Sequence, residues 1–373
     1  MKAYIVAMAT ASCALMASYA AAEDYKIAVV HSLTGNVGQV GVPVVNAIKL
    51  AADQVNASGL LGDDKIVLEV QDTASDKGQA VTLITRYGSD PSFLAILGPT
   101  SSIDGLATSP VANDLNVPMF TTAISAEVLK AGPWVFKGTA PTSDLMKGMA
   151  DYAVGKLQVK TCSLIFGRDN DAHVSAKRVF ETAVKEGGVE IVSEDGVLVS
   201  DTDYSAVATK VASLNPDCVL VAELGPQSAN IIIQLRQAGL ADTVKIVGTT
   251  SMATRSYLQT AGAAAEGTYF PADFVPGGSN DMGKAFAEAY QQAYGMPADN
   301  YAAVAYTILD LTAHAIKNAG EGVTRESLRE QLTAIKDAPT VLGDGTFSLD
   351  EERLPHYGVS LLTVKDGAFV GAE

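Results

Sequence analysis

Residues that could bind a metal or act as a base are few and widely separated in this sequence. A zinc centre needs cysteines and histidines at short spacing, because four ligands must converge on one ion. No such spacing occurs, so we predict no metal and no other cofactor. Cys162 and Cys218 each open an apolar run and are interpreted as buried thiols, although paired neighbouring strands could also join them. The histidines all stand singly: His31, His173, His314 and His356.

Serine hydroxyls are the remaining candidate nucleophiles. Ser101, Ser102 and Ser125 have no G-x-S-x-G elbow around them and no histidine and aspartate partners nearby in the sequence. A triad assembled from distant segments stays open at this point. We predict a protein that is not an enzyme.

A glycine-bearing turn, residues 35–41, lies between the first predicted strand and the first predicted helix. A dinucleotide-binding loop would occupy that place, but it requires the spacing G-x-G-x-x-G. Here the spacing is G-x-x-G-x-x-G. The turn is therefore interpreted as a loop whose glycines satisfy backbone angles.

Apolar strand-like runs alternate with amphipathic helical patterns along most of the chain, which is typical of βαβ units and parallel sheets. The series begins with a strand over 26–31 and a helix through 44–55 that Gly59 ends. It restarts after residues 139–142, and a third region has helices over 281–294, 301–319 and 325–334 before a strand-rich end. We predict an α/β fold of two lobes, each a doubly wound, mostly parallel sheet flanked by helices.

The N-terminus has the features of a secretory signal peptide over residues 1–22. A basic start at Lys2 is followed by an apolar run and by three alanines before Glu23. Removing Lys2 and no acidic residue takes the formal charge from −16 to −17, which disfavours nucleic acid as a partner. About 350 residues remain, more than one core usually holds, so two domains are expected.

Eleven segments, listed below in chain order, resemble the type I periplasmic solute-binding proteins of ABC importers, in the leucine/isoleucine/valine-binding branch. The resemblance covers essentially the whole chain after the signal peptide. It implies a monomeric periplasmic receptor that closes on one small solute and delivers it to a membrane permease. The segments are 23–30, 33–35, 38–41, 47–59, 71–72, 79–81, 97–102, 117–127, 235–240, 264–267 and 301–306.

The same resemblance implies two lobes joined by three hinge crossings. We place lobe one at 23–140 plus 273–347 and lobe two at 141–272 plus 348–373. The crossings are expected at 138–142, 270–274 and 347–350.

Relatives of this kind hold a solute carboxylate with hydroxyls and backbone amides at two loops. The resemblance places Ser101 and Ser102 in one loop, and Ala123, Ile124 and Ser125 in the other. Ser102 and Ser125 are the predicted anchors, with helix capping as the alternative role. The solute is expected to meet Val40 as a wall residue, and Asp171 and Glu223 from lobe two.

One position departs from the resemblance. Thr250 stands where amino-acid-binding relatives usually carry the acid that pairs with the solute's ammonium group. Asp171 or Glu223 could supply that charge. Otherwise the solute lacks an ammonium group, as an aromatic carboxylate, a short amide or urea does. We predict an amino acid, branched-chain or related.

Overall fold

The first sheet consists of five parallel strands. The computed structural model describes residues 24–372, and the predicted signal peptide lies outside them. The strand order is β2-β1-β3-β4-β5. Their carboxyl ends therefore share one edge, where ligands bind in open α/β sheets. The strands are β1 Asp24–His31, β2 Lys65–Asp72, β3 Phe93–Leu97, β4 Met119–Thr121 and β5 Val135–Lys137.

Six helices accompany this sheet, three from the N-terminal part of the chain and three from its last third. The first and the fifth pack against each other, and apolar residues every three or four positions form their contact. Gly59 ends the first helix in the left-handed conformation, with φ of 72°. The helices are α1 Gly38–Ser58, α2 Lys77–Ser89, α3 Ser102–Asp114, α9 Asp281–Tyr294, α10 Asn300–Ala319 and α11 Arg325–Thr333.

The second sheet has seven strands in the order β15-β14-β10-β9-β8-β6-β7. The five that come first in the chain are parallel, and β14 and β15 are antiparallel additions at one edge. The predicted α/β class with two mostly parallel sheets is confirmed. The strands are β6 Thr161–Gly167, β7 Glu190–Val197, β8 Cys218–Ala222, β9 Lys245–Gly248, β10 Thr268–Ala272, β14 Ser360–Lys365 and β15 Ala368–Gly371.

Five helices alternate with these strands, and none of the helices within residues 24–372 is long and apolar enough to cross a membrane. Cys162 and Cys218 are register neighbours on β6 and β8, and both are buried free thiols. The helices are α4 Thr142–Gly155, α5 Asp171–Glu186, α6 Ser205–Leu214, α7 Gly225–Gln237 and α8 Arg255–Ala261.

A small antiparallel sheet near the C-terminus packs with the first sheet. It comprises β11 Ala338–Pro339, β12 Thr346–Leu349 and β13 Pro355–His356. Tyr357 belongs to the first sheet's hydrophobic core, and the Arg353 guanidinium donates to the carbonyls of Leu129, Gly132 and Val135. The contacts of residues 350–357 thus differ from the prediction, which places 348–373 with the second sheet. Only β14 and β15 join that sheet, because their antiparallel pairing is with β10.

Candidate functional site

A cleft of about 440 Å³ lies between the carboxyl ends of the two sheets. This volume is in the range of small-molecule sites. Loops after β1, β2, β3 and β4 form one wall, and loops after β6, β7, β8 and β9 form the other. The starts of α1, α3, α5 and α7 surround it, so several helix N-termini contribute positive potential that favours an anionic group.

Two predicted serines line the wall of the first sheet. Ser101 Oγ accepts from the Asp104 amide at 3.3 Å, and Ser102 Oγ accepts from the Ser125 amide at 3.1 Å. The first hydrogen bond within α3 runs from the Gly105 amide to the Ser101 carbonyl. The amides of residues 102 and 103 precede that bond and have no acceptor within the helix, so they are available to a solute carboxylate.

Val40, the predicted wall residue, and Ile124, from the second predicted loop, also line the cleft and add apolar surface to it. The other two residues of the second loop do not line it. Ala123 is fully buried, where its amide donates to Thr121 Oγ1 at 3.0 Å. The Ser125 hydroxyl is used as a helix cap, accepting from the Glu127 amide at 3.3 Å.

On the side of the second sheet, the predicted acids do not reach the cleft surface. Asp171 is exposed and does not line the cleft, whereas Asp169, two residues earlier, does. Glu223 is fully buried behind the wall. Thr250 lines a separate cavity of about 10 Å³, about one water molecule in size, and Ser251 lines the cleft instead.

Residues that the sequence did not indicate also face the cleft. Gln39 lies in the first turn of α1 and His173 in the first turn of α5, each directly after a loop that the pattern of strands could have marked. Tyr301 comes from the start of α10, which follows the last strand of the second sheet's parallel series. No local signal in the sequence brings it to this place.

Burial dominates the electrostatics of the site. It lowers the pKa of His31 to about 3 and that of His173 to about 4, so both imidazoles are neutral at pH 7. Burial raises the pKa of Glu223 to about 7 and also raises the pKa of Asp104, which lines the cleft. The polar lining of the cleft consists of neutral polar groups, the acids Asp104 and Asp169, and Lys77.

Ser101 and Ser102 accept from backbone amides through their hydroxyls, whereas one cleft hydroxyl lies beside a histidine. Thr100 Oγ1 lies 2.8 Å from His31 Nδ1, and His31 Nε2 has no hydrogen-bond partner among the described residues. A neutral imidazole with no orienting acid is poorly placed to activate an alcohol. Within residues 24–372, no three histidine, cysteine, aspartate or glutamate side chains are grouped to hold a metal ion. The arrangement is suited to hydrogen bonding a small solute.

Comparisons with known proteins agree with this geometry. The Leu/Ile/Val-binding protein BraC3 of Rhizobium johnstonii is 27% identical over 355 residues, which cover 94% of each chain. The Leu/Ile/Val/Thr-binding protein of Salmonella typhimurium is 30% identical over 248 residues, covering 66% of this chain and 67% of the relative. A crystal structure of a leucine binding protein from Thermotoga maritima has a TM-score of 0.86 at 26% identity, covering 94% of this chain and 98% of that one.

The family model described as "Periplasmic binding protein" matches residues 24–368, nearly all of the described chain. The match includes every strand of both sheets except most of β15, and every loop that lines the cleft. This chain belongs to the periplasmic binding protein family.

Proposed function

We propose that this protein is the extracytoplasmic receptor of an ABC importer, which binds an amino acid, branched-chain or related, and delivers it unchanged to a membrane permease. The observation that carries the proposal is a cleft of about 440 Å³ lined by loops of both sheets. The family supports a binding role, and the relatives named for leucine, isoleucine and valine support the solute class.

The cleft offers a place for each part of such a solute. The amides at the start of α3 and the hydroxyls of Ser101 and Ser102 suit a carboxylate without a buried cation. Val40, Ile124 and Leu224 supply apolar lining for a hydrocarbon side chain. These roles extend the prediction for four of the predicted residues, Ser101, Ser102, Val40 and Ile124, and give Ser125 a supporting position.

The contacts also support a refined division into lobes. Lobe one comprises 24–140 plus 273–357, and lobe two comprises 141–272 plus 358–372. The boundary at 357 follows from Tyr357, whose hydroxyl donates to the Gly138 carbonyl at 3.0 Å and to Asp273 Oδ1 at 2.6 Å. The three crossings meet at this point, so a rotation there would close the cleft around a solute.

One observation supports a second solute class, a carboxylate or amide without an ammonium group. Thr250 leaves a water-sized cavity where an acid could pair with an ammonium group. A carboxylate or amide without an ammonium group, such as an aromatic acid or urea, needs no such acid. The closed receptor would act in the same way for either class, as a monomer and without a cofactor.

Isothermal titration calorimetry at pH 8 tests the proposal. Leucine, isoleucine and valine are titrated alongside benzoate and acetamide, and mass spectrometry then checks that the bound compound is recovered intact. We expect one of the aliphatic amino acids to bind with micromolar or tighter affinity and to raise the unfolding temperature in proportion to its concentration. Binding of benzoate or acetamide alone would replace the solute class, and chemical conversion of the compound would refute the receptor role.

A further inference from the structure

A histidine and a glutamate form a buried pair behind the cleft wall of the second sheet. His173 Nδ1 lies 3.5 Å from Glu223 Oε2, with side-chain exposures of 3% and 0%. Glu223 Oε2 also accepts from the Leu224 amide at 2.7 Å. Among the described residues, His173 Nδ1 and Glu223 Oε1 have no hydrogen-bond partner. Buried polar atoms without partners are rare and call for a functional explanation.

Only the histidine of this pair reaches the solute space. His173 lines both the main cleft and the small cavity beside Thr250, whereas Glu223 lines neither. Because the Nδ1 edge of the imidazole faces Glu223, the Nε2 edge is the one available to the cleft. Gly167 leaves the room that the pair occupies, since a Cβ there would lie 2.2 Å from Glu223 Oε1 and 2.8 Å from His173 Nδ1.

The protonation state of Glu223 determines whether His173 Nε2 is a hydrogen-bond donor or an acceptor toward the cleft. When Glu223 is protonated, its O–H donates to Nδ1, and the neutral imidazole carries its proton on Nε2 as a donor. When Glu223 is ionised, the imidazole carries its proton on Nδ1 and donates to the carboxylate. Nε2 is then an acceptor, backed by a negative charge.

We propose that His173 and Glu223 act together as the recognition element for the ammonium group of the solute and that binding releases one proton. The inference rests on the proposed function and names the part of the site that replaces the acid missing at Thr250. On binding, the Glu223 proton moves to His173 Nδ1, and the Nε2 proton leaves to solvent. Nε2 then accepts an N–H of the ammonium group, and the charge of Glu223 stabilises the cation.

Other charged groups around the pair set the pH at which this happens. Burial is the main reason that the pKa of Glu223 rises to about 7, and Asp169 and Asp201 raise it further while the Leu224 amide lowers it. Burial is the main reason that the pKa of Tyr204 rises to about 12, with Glu223 and Asp201 adding to the rise, so that phenol stays neutral. Asp104 and Lys77 face the cleft from the other sheet.

The expected pH dependence follows from these groups. An ammonium-bearing solute binds the ionised form of Glu223, which exists above pH 7 and is lost as the pH falls through that value. Affinity should therefore be about tenfold lower at pH 6 than at pH 8, because each pH unit below the pKa costs up to about a factor of ten. A free amino acid stays zwitterionic over this range, so the change belongs to the protein.

The experiment is calorimetry of the full mature chain with leucine, isoleucine and valine at pH 6 and pH 8, in buffers of different ionisation enthalpy. We expect an affinity about tenfold higher at pH 8 and release of close to one proton at pH 6. Glu223→Gln should bind more weakly and with the same affinity at both pH values. The matched control is Glu190→Gln, an exposed glutamate on β7, which should keep the pH dependence.

The possible outcomes distinguish the receptor function from the His173–Glu223 inference. If an amino acid binds equally at both pH values and releases no proton, the His173–Glu223 inference is overturned while the receptor function stands. If none of the three binds at pH 8, the proposed solute class fails and the inference fails with it. If Glu223→Gln does not fold, as circular dichroism would show, proton release by the unmodified chain still decides the question.

Discussion

Asp273 contacts the segments that we propose as the three crossings between the lobes. Its Oδ1 accepts from the Ala140 amide at 3.1 Å and from the Tyr357 hydroxyl at 2.6 Å, and its Oδ2 accepts from Asn300 Nδ2 at 2.8 Å. The residue is fully buried. Lys137, also fully buried, is attracted by the same carboxylate.

Asp273→Ala should lower the free energy of unfolding by about 3–5 kcal/mol. The Ala140 amide and the Asn300 side chain lose an acceptor, while Tyr357 keeps the Gly138 carbonyl. Each unsatisfied group costs about 1–3 kcal/mol, although the losses do not add fully. Lys137 also loses its neighbouring negative charge, and removing one member of a buried charged pair costs about 3–5 kcal/mol. The lost hydrogen bonds and the lost charge contribute to the same destabilisation, so their free energies are not added together and the expected total stays at about 3–5 kcal/mol.

Asp273→Asn separates shape from hydrogen bonding. The amide oxygen can still accept from Ala140 and Tyr357, but its NH2 group then faces the NH2 group of Asn300. We expect a loss of about 1–3 kcal/mol. Adding Asn300→Asp in the same chain restores an N–H···O pair between the two side chains, so the double variant should be more stable than Asp273→Asn alone.

Urea unfolding followed by circular dichroism measures these differences. The control is Asp242→Asn, which removes a fully exposed carboxylate 3.7 Å from Arg236 and should change stability by less than about 0.5 kcal/mol. A loss below about 1 kcal/mol for Asp273→Ala, or no recovery in the double variant, would refute the assignment of Asp273 as the group that joins the crossings.

Four further predictions concern single residues. Ser102→Ala should weaken solute binding by about 1–3 kcal/mol in calorimetry, because its hydroxyl lines the cleft, and unchanged affinity would contradict that role. Ser125→Ala should instead cost about 1 kcal/mol of stability through its lost cap, and a large loss of affinity would place it in the site after all. Gly41→Ala should destabilise the protein by about 2 kcal/mol or more in urea, since its Cβ would lie 1.8 Å from the Ser32 carbonyl oxygen; wild-type stability would show this to be wrong. Burial lowers the pKa of Lys137 to about 7, so between pH 7 and 9 the unfolded chain binds a proton that the folded chain does not, and stability should rise by up to about 1.4 kcal/mol per pH unit; Lys137→Met should abolish that rise in urea titrations, and a rise that persists would exclude Lys137 as its source.

Much of the secondary structure was predictable because local patterns specify it. The apolar periodicity of α1 and the stop at Gly59 are both found, and the predicted strand over 26–31 lies within β1. In contrast, local patterns indicate α3 only weakly. Its sequence contains Gly105 and Pro110 and has little apolar periodicity, so only packing and the cap at Ser101 mark it as a helix.

The sequence alone determined that two mostly parallel sheets form and that loops after their strands are the place for a site, because alternating strands and helices put all carboxyl ends at one edge. Only the tertiary structure decided which side chains in those loops face the solute. Ser102 and Ser125 look equivalent in the sequence, yet one lines the cleft and the other is turned into a cap. Likewise His173 reaches the cleft while Glu223 lies behind it. In a loop or at a helix start, neighbouring residues point their side chains in different directions. That direction depends on packing between segments distant in the chain, which no local pattern records.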